Sequence, residues 1–207
     1  IIIPSSLAKR KHQAADPEEK LIRAVESSLN QDYDSIEVIV ISDGCDLTDR
    51  IIISIIGNFK TKAIEILPIK LISIPKQPPF SGNVRNAGIE IATGDIICYL
   101  DSDDILGPDH VSTIVKNFKG SWVWFNDMVW SRDKFIEREC SFKLGFCGTS
   151  NIAHRRDMSA RWLPVNKYGY DDWNFIQELK KECPDGVKIE TPSYIVCHIP
   201  YKRGYDV

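Results

Sequence analysis

The stretch GNVRNAGIEIATGDIICYLDSDD, Gly82 to Asp104, decides how this chain folds. Val84 to Ala92 reads as a helix, Thr93-Gly94 as the turn that ends it, and Ile96-Ile97-Cys98-Tyr99-Leu100 as a strand with almost no polar residue. Successive strand side chains point to opposite faces, so a strand apolar throughout must be covered on both sides, as in parallel sheets flanked by helices. The strand ends in Asp101-Ser102-Asp103-Asp104. Carboxylates clustered at such an edge are costly unless a cation neutralises them, and Mg²⁺ or Mn²⁺ takes one or two carboxylates and completes its shell with phosphate oxygens and water. The same residues also read as a solvated turn in which Asp104 caps a helix.

Working outward, the alternation repeats. Towards the N-terminus, Ile1 to Ile3 is a buried strand stopped by Pro4, and Asp16-Pro17-Glu18-Glu19 starts a helix with Asp16 as N-cap and Pro17 at its first position. Ile36 to Ile41 is a second apolar strand ending in Ser42-Asp43-Gly44, followed by a helix from about Leu47 to Gly57 and a β-rich stretch from Ala63 to Ile74. Towards the C-terminus the pattern predicts a helix near Pro108 to Phe118, an aromatic strand Trp122 to Trp130, a helix from Asp171 to Glu182 and a strand Tyr194 to Ile199. Strands alternating with helices argue for an α/β domain with a mostly parallel central sheet and helices on both faces. Ligands of such sheets bind at the carboxyl ends of strands. Three of these ends carry polar residues, at Pro4-Ser5-Ser6, Ser42-Asp43-Gly44 and Asp101 to Asp104.

The 207 residues, 43% of them hydrophobic and 27% charged, suit one globular domain, with residues 1–107 as one half and 108–207 as the other. A net charge of −3 excludes the bulk attraction to nucleic acid that a basic face provides. The six cysteines, Cys45, Cys98, Cys140, Cys147, Cys183 and Cys197, show no C-x-x-C spacing and are expected as reduced thiols of a cytoplasmic protein. No apolar run has the length of a membrane span. The chain opens on Ile1-Ile2-Ile3 without a methionine, so the true start or a tail is expected to be missing.

Several further residues are candidates for chemistry. Asp43 suits a base or ribose hydroxyl, or is ordinary Asp-Gly turn chemistry. Arg85 and Asn86 open a helix where N–H groups and a guanidinium suit phosphate, or Asn83 or Asn86 caps the helix and Arg85 is a surface charge. Asp171 and Asp172 start the last helix, about 100° apart around it, so one of them can enter a site as a general base while the other serves the helix N-terminus. His198 reads as a metal ligand or as a core histidine.

Together these segments resemble the family 2 glycosyltransferases of the GT-A fold. The matching fragments run in order: the opening strand ending in Pro4, AVESSLNQDYDSIEVIVISDG (Ala24 to Gly44), Gly82 to Asp104, GTSNIAHRR (Gly148 to Arg156) and GYDDWNF (Gly169 to Phe175). The resemblance implies inverting transfer from a nucleoside-diphosphate sugar, with UDP-sugar as the expected donor. It implies nucleotide-sugar contacts at Pro4, Ser5, Asp43, Arg85, Asn86, Asp101 and Ser102. It places Mn²⁺ or Mg²⁺ on Asp103, with His198 completing the site, and makes Asp172 the catalytic base, with acceptor contacts at Gly148, Thr149 and Asp171. Ser5-Ser6-Leu7 stands where the family usually has Thr-Tyr-Asn. The expected acceptor is a saccharide or lipid-linked sugar, with peripheral contact at the inner face of a membrane. Two other readings stay open: a sugar nucleotidyltransferase, and a nucleotide-sugar-binding module without catalysis.

Overall fold

The computed structural model describes residues 1–7, 16–60, 68–78, 82–131, 134–163, 171–191 and 193–197. Three parallel strands, β1 (Ile2–Ser5), β2 (Val38–Asp43) and β3 (Ile69–Ile74), alternate with helices α1 (Pro17–Leu29) and α2 (Asp46–Lys60). Helix α3 (Asn83–Ile91) then leads into β4 (Ile96–Cys98), whose continuation pairs with β1 through a parallel bridge between Ile2 and Tyr99. Beyond a short β5 (Ile105–Leu106) and α4 (His110–Asn117), the sheet is extended by β6 (Trp122–Phe125), β9 (Ile152–Arg155) and β10 (Val187–Ile189). The order across the sheet is β3-β2-β1-β4-β9-β6-β10, and among the described strands only β9 runs against the others.

The unbroken apolar runs are explained by two separate cores. Ile1, Ile3, Val38 and Val40 face one side with Leu21 and Val25 of α1, Ile52 of α2 and Ile114 of α4. Ile2, Ile39 and Ile41 face the other with Val84 and Ile89 of α3 and with Phe175, Ile176 and Leu179 of α5 (Asp171–Glu182). Consecutive residues of one strand thus serve opposite layers, which is the expected α/β arrangement with helices on both faces.

Some local expectations are corrected. Trp122 to Trp130 is not one strand: it divides at Asn126 into β6 and β7 (Asp127–Ser131), and β7 joins a second sheet, β5-β11-β7-β8, with β8 (Lys134–Arg138) and β11 (Tyr194–Val196). Asn126 is buried and its Oδ1 accepts the Cys140 N–H at 2.9 Å, so a polar side chain anchors a cross-segment at the division. Asp16 does not cap α1 through its side chain; it has φ 52° and ψ 53°, and only its carbonyl accepts a helix bond, from Lys20. The β-rich stretch is described from Ile69 onward, residues 61–67 lying outside the described residues, and the last strand ends at Val196, with 198–207 also outside them.

Two buried histidines tie the layers together. His154 Nδ1–H donates to the Arg155 carbonyl at 2.8 Å, so Nε2 accepts the Tyr99 hydroxyl at 2.8 Å, and that hydroxyl in turn accepts the Trp162 indole N–H at 3.1 Å. His110 sits edge-on to Phe125, with Nδ1 2.8 Å from Ser193 Oγ. Burial pushes His154 down to about 4 and His110 down to about 3. Both folded values lie below that of a free histidine, so their contribution is complete above about pH 6.5 and is lost as the unfolded chain takes up protons that the folded one refuses. Stability to urea should therefore fall between pH 6.5 and pH 4 by up to ~1.4 kcal/mol per pH unit for each histidine. His154→Gln should flatten part of that slope, and an unchanged slope would show that His154 is not its source.

Candidate active site

Strands β1, β2 and β4 end on the same edge, where the three polar segments meet. At the tip of β1 the Ser5 side chain turns inward, 2% exposed, with Oγ 3.0 Å from Thr48 Oγ1 on α2. Any contact from Ser5 to a ligand would have to come from its backbone. Pro4 beside it is half-buried, and Ser6 Oγ accepts the Lys76 ammonium at 3.1 Å. At the tip of β2 the Asp43 carboxylate accepts the Gln77 N–H at 2.6 Å and forms an ion pair with Lys76. Gly44 makes this possible: it has φ +56°, and a Cβ there would lie 2.7 Å from the Lys76 nitrogen. The edge therefore presents an Asp43–Lys76 pair in place of the bare carboxylate expected from the sequence.

At the tip of β4, Asp101 and Asp104 close a turn through Asp104 N–H to the Asp101 carbonyl, 3.1 Å. Asp101, Ser102 and Asp103 are half-exposed on it, whereas Asp104 is 1% exposed. Asp104 thus neither caps a helix nor faces the edge. Its Oδ2 accepts the Tyr194 hydroxyl at 2.9 Å and its Oδ1 the Cys197 N–H at 2.6 Å. Among the described residues no three His, Cys, Asp or Glu side chains converge on a point that could hold a metal ion. One or two carboxylates from Asp101 and Asp103 nevertheless suit Mg²⁺ or Mn²⁺, whose remaining ligands are typically phosphate oxygens and water. His198 lies outside the described residues.

Arg85 of α3 links this turn to the other side of the cleft. Its Nη2 donates to Asp101 Oδ1 at 2.8 Å, its Nη1 is 4.0 Å from Asp171 Oδ2, and its guanidinium carbon lies 4.8 Å from the centre of the Trp162 ring. Burial alone would lower its pKa, but the carboxylates of Asp101, Asp172 and Asp171 raise it, so Arg85 is a permanent cation among three acids. The sequence suggested a phosphate ligand or a surface charge; the structure shows a mostly enclosed counter-ion. Asn86 also has another task. Its Oδ1 accepts the Trp162 N–H and its Nδ2 donates to the Trp162 carbonyl, both at 2.9 Å, which satisfies backbone groups that would otherwise be buried without partners. Trp162 then stacks on Phe175 of α5, ring centres 4.3 Å apart, one turn after the two acids.

Asp172 is held from its other side. Thr149 Oγ1 donates to Asp172 Oδ1 at 2.5 Å, and a side chain on Gly148 would come within 3.2 Å of Asp172 Oδ2. Burial raises the pKa values of both Asp172 and Asp171, with Arg85 opposing the shift in each case. Asp171 lies 4.0 Å from Arg85 and also accepts backbone N–H groups at the helix start, while Asp172 feels the charge of the same guanidinium. The loop carrying Thr149 is fixed by a residue that the sequence did not single out. Asp127, wholly buried, takes Arg138 on both carboxylate oxygens, Ser150 Oγ at 3.0 Å and Asn151 Nδ2 at 3.1 Å.

A family model described as Glycosyl transferase family 2 matches residues 12–160. An uncharacterized glycosyltransferase of Nostoc sp. is 27% identical over 174 residues, 74% of this chain and 52% of that protein. The succinoglycan biosynthesis protein ExoO of Rhizobium meliloti is 33% identical over 97 residues, 46% of this chain and 25% of that protein. Among solved structures, S. aureus TarS 1-349 superposes with a TM-score of 0.67 at 15% identity, covering 94% of this chain and 59% of that one. The same TarS fragment has also been solved in complex with UDP-GlcNAc. The chain spans about half the length of the Nostoc relative. The structural likeness carries the fold, which is of the GT-A type. With the family model matched over most of its length, the chain belongs to glycosyl transferase family 2.

Proposed function

We propose that this chain transfers a sugar from a nucleoside-diphosphate sugar to an acceptor hydroxyl with inversion. The observation that carries this reading is that one guanidinium, Arg85, lies 2.8 Å from Asp101 of the turn and 4.0 Å from Asp171 at the start of α5, with Asp172 the next residue along that helix. A nucleotide bound at the strand tips would bring its sugar between the turn and the two acids. Residues 1–107 form the donor half and residues 108–207 the acceptor half.

In this mechanism Asp172 accepts the proton of the acceptor hydroxyl while the hydroxyl oxygen bonds to the anomeric carbon and the bond from that carbon to the diphosphate breaks. A single displacement inverts the centre. Burial raises the Asp172 pKa, which strengthens it as a proton acceptor, and Arg85 keeps it ionised before the reaction. Thr149 orients the carboxylate, and Gly148 leaves room beside it. Asp103, with Asp101 next to it, would hold Mn²⁺ or Mg²⁺, which supplies positive charge to the leaving diphosphate. UDP-sugar as donor is supported by the TarS complex with UDP-GlcNAc. A role in polysaccharide synthesis is supported by the ExoO relative, and a saccharide or lipid-linked sugar is the acceptor of this proposal. No helix among the described residues is long and apolar enough to cross a membrane.

The direct test is incubation with Mn²⁺ and a panel of nucleotide sugars, following donor hydrolysis and thermal shift. One donor bound and slowly hydrolysed is the expected result; pyrophosphate released from a nucleoside triphosphate would identify a nucleotidyltransferase instead. Asp172→Asn should cut turnover by roughly 10²- to 10⁴-fold with donor affinity retained, and near-normal turnover would place the base elsewhere. Asp103→Ala should abolish the Mn²⁺ dependence of UDP binding measured by calorimetry, with an unchanged circular dichroism spectrum. Arg85→Gln removes the positive charge that opposes the rise in the Asp172 pKa, so the acid limb of the pH–rate profile should move to higher pH. A profile that stays in place would mean that Arg85 does not set the ionisation of the base.

A further inference from the structure

Asp104 is the one acid of the Asp101–Asp104 turn that the proposed mechanism does not use, and it has the most elaborate surroundings. It is 1% exposed, and Tyr194, which donates to its Oδ2 at 2.9 Å, is itself fully buried. The same Tyr194 hydroxyl accepts the Asp101 N–H at 3.0 Å. One phenol therefore grips the turn at both ends, through the side chain of its last residue and the backbone of its first. The other oxygen of Asp104 accepts the Cys197 N–H at 2.6 Å, and the Cys197 carbonyl accepts the Lys20 ammonium of α1 at 3.3 Å. Cys197 is thus clamped on both its backbone groups, and the chain leaves β11 beside the turn.

We propose that Tyr194 and Asp104 are positioning residues, a buried latch that holds the Asp101–Asp104 turn in its metal-binding shape. A buried carboxylate is costly unless its oxygens are hydrogen-bonded. Here those bonds come from Tyr194 of β11 and from Cys197 just after it, so the turn keeps its shape only while β11 is docked. The inference rests on the proposed donor chemistry. It assigns Asp104 to the framework of the site and not to the metal.

Tyr194→Phe tests it, because the ring and its packing stay while both hydroxyl bonds go. Calorimetric titration with UDP, with and without Mn²⁺, should show the metal-dependent gain in affinity reduced by roughly 2- to 10-fold for each lost hydrogen bond, with metal-free affinity unchanged. Asp104→Asn, which keeps the shape and an acceptor for Cys197, should act in the same direction and serves if Tyr194→Phe does not fold. Variants that lower only the melting temperature while keeping the full Mn²⁺-dependent gain would overturn the latch. A wild-type protein whose UDP affinity ignores Mn²⁺ would overturn the donor reading, and the latch with it.

Discussion

The site depends on one guanidinium. Arg85 is mostly enclosed, and the acids around it come from different segments: Asp101 from the tip of β4, Asp171 and Asp172 from the start of α5. Three carboxylates at this separation and depth would repel one another without a cation between them, and arginine is the residue that stays charged there. Its ring contact with Trp162, and the stacking of Trp162 on Phe175, convert the electrostatic requirement into a positional one. Displacing α5 would take Asp171 and Asp172 away from the cation and unstack the aromatic pair together.

A second layer of support lies farther from the cleft. Asp127 is buried and gathers Arg138, Ser150 and Asn151, and through the Thr149 loop it determines where the hydroxyl that meets Asp172 will be. Tyr194 and Asp104 do the same for the turn. In both cases a buried acid with its oxygens fully engaged holds a short loop, which suits groups that must keep their geometry when a charged ligand enters.

The fold was legible because its strands are so apolar. Ile1 to Ile3, Ile36 to Ile41 and Ile96 to Leu100 have no polar face, and two opposed cores are the physical reason. The helices after them declared themselves by periodicity, and α5 begins at the acid pair where the pattern put it. The division at Asn126 was not legible, because Trp122 to Trp130 is equally strand-like on either side of it and only the pairing partners differ. Within the site, carboxylates stand out in a sequence but their partners do not. Lys76 lies beyond the predicted β-rich stretch and meets Asp43 only through the fold, as Trp162 meets Arg85, and Asp104 looks like its neighbours until its burial is known. Asp43 and Asn86 were sensible ligand candidates by residue type, and the structure engages both with the chain itself.

The division at Asn126 bears on how this scaffold tolerates change. A single residue separates β6, in the central sheet, from β7, in the smaller one. Strand side chains alternate with a period of two, so adding or removing one residue there would turn every β7 side chain to the opposite face of its sheet. Asp127 would leave its buried position and Met128 would take it. Length variation between homologous chains should therefore be scarce at this junction.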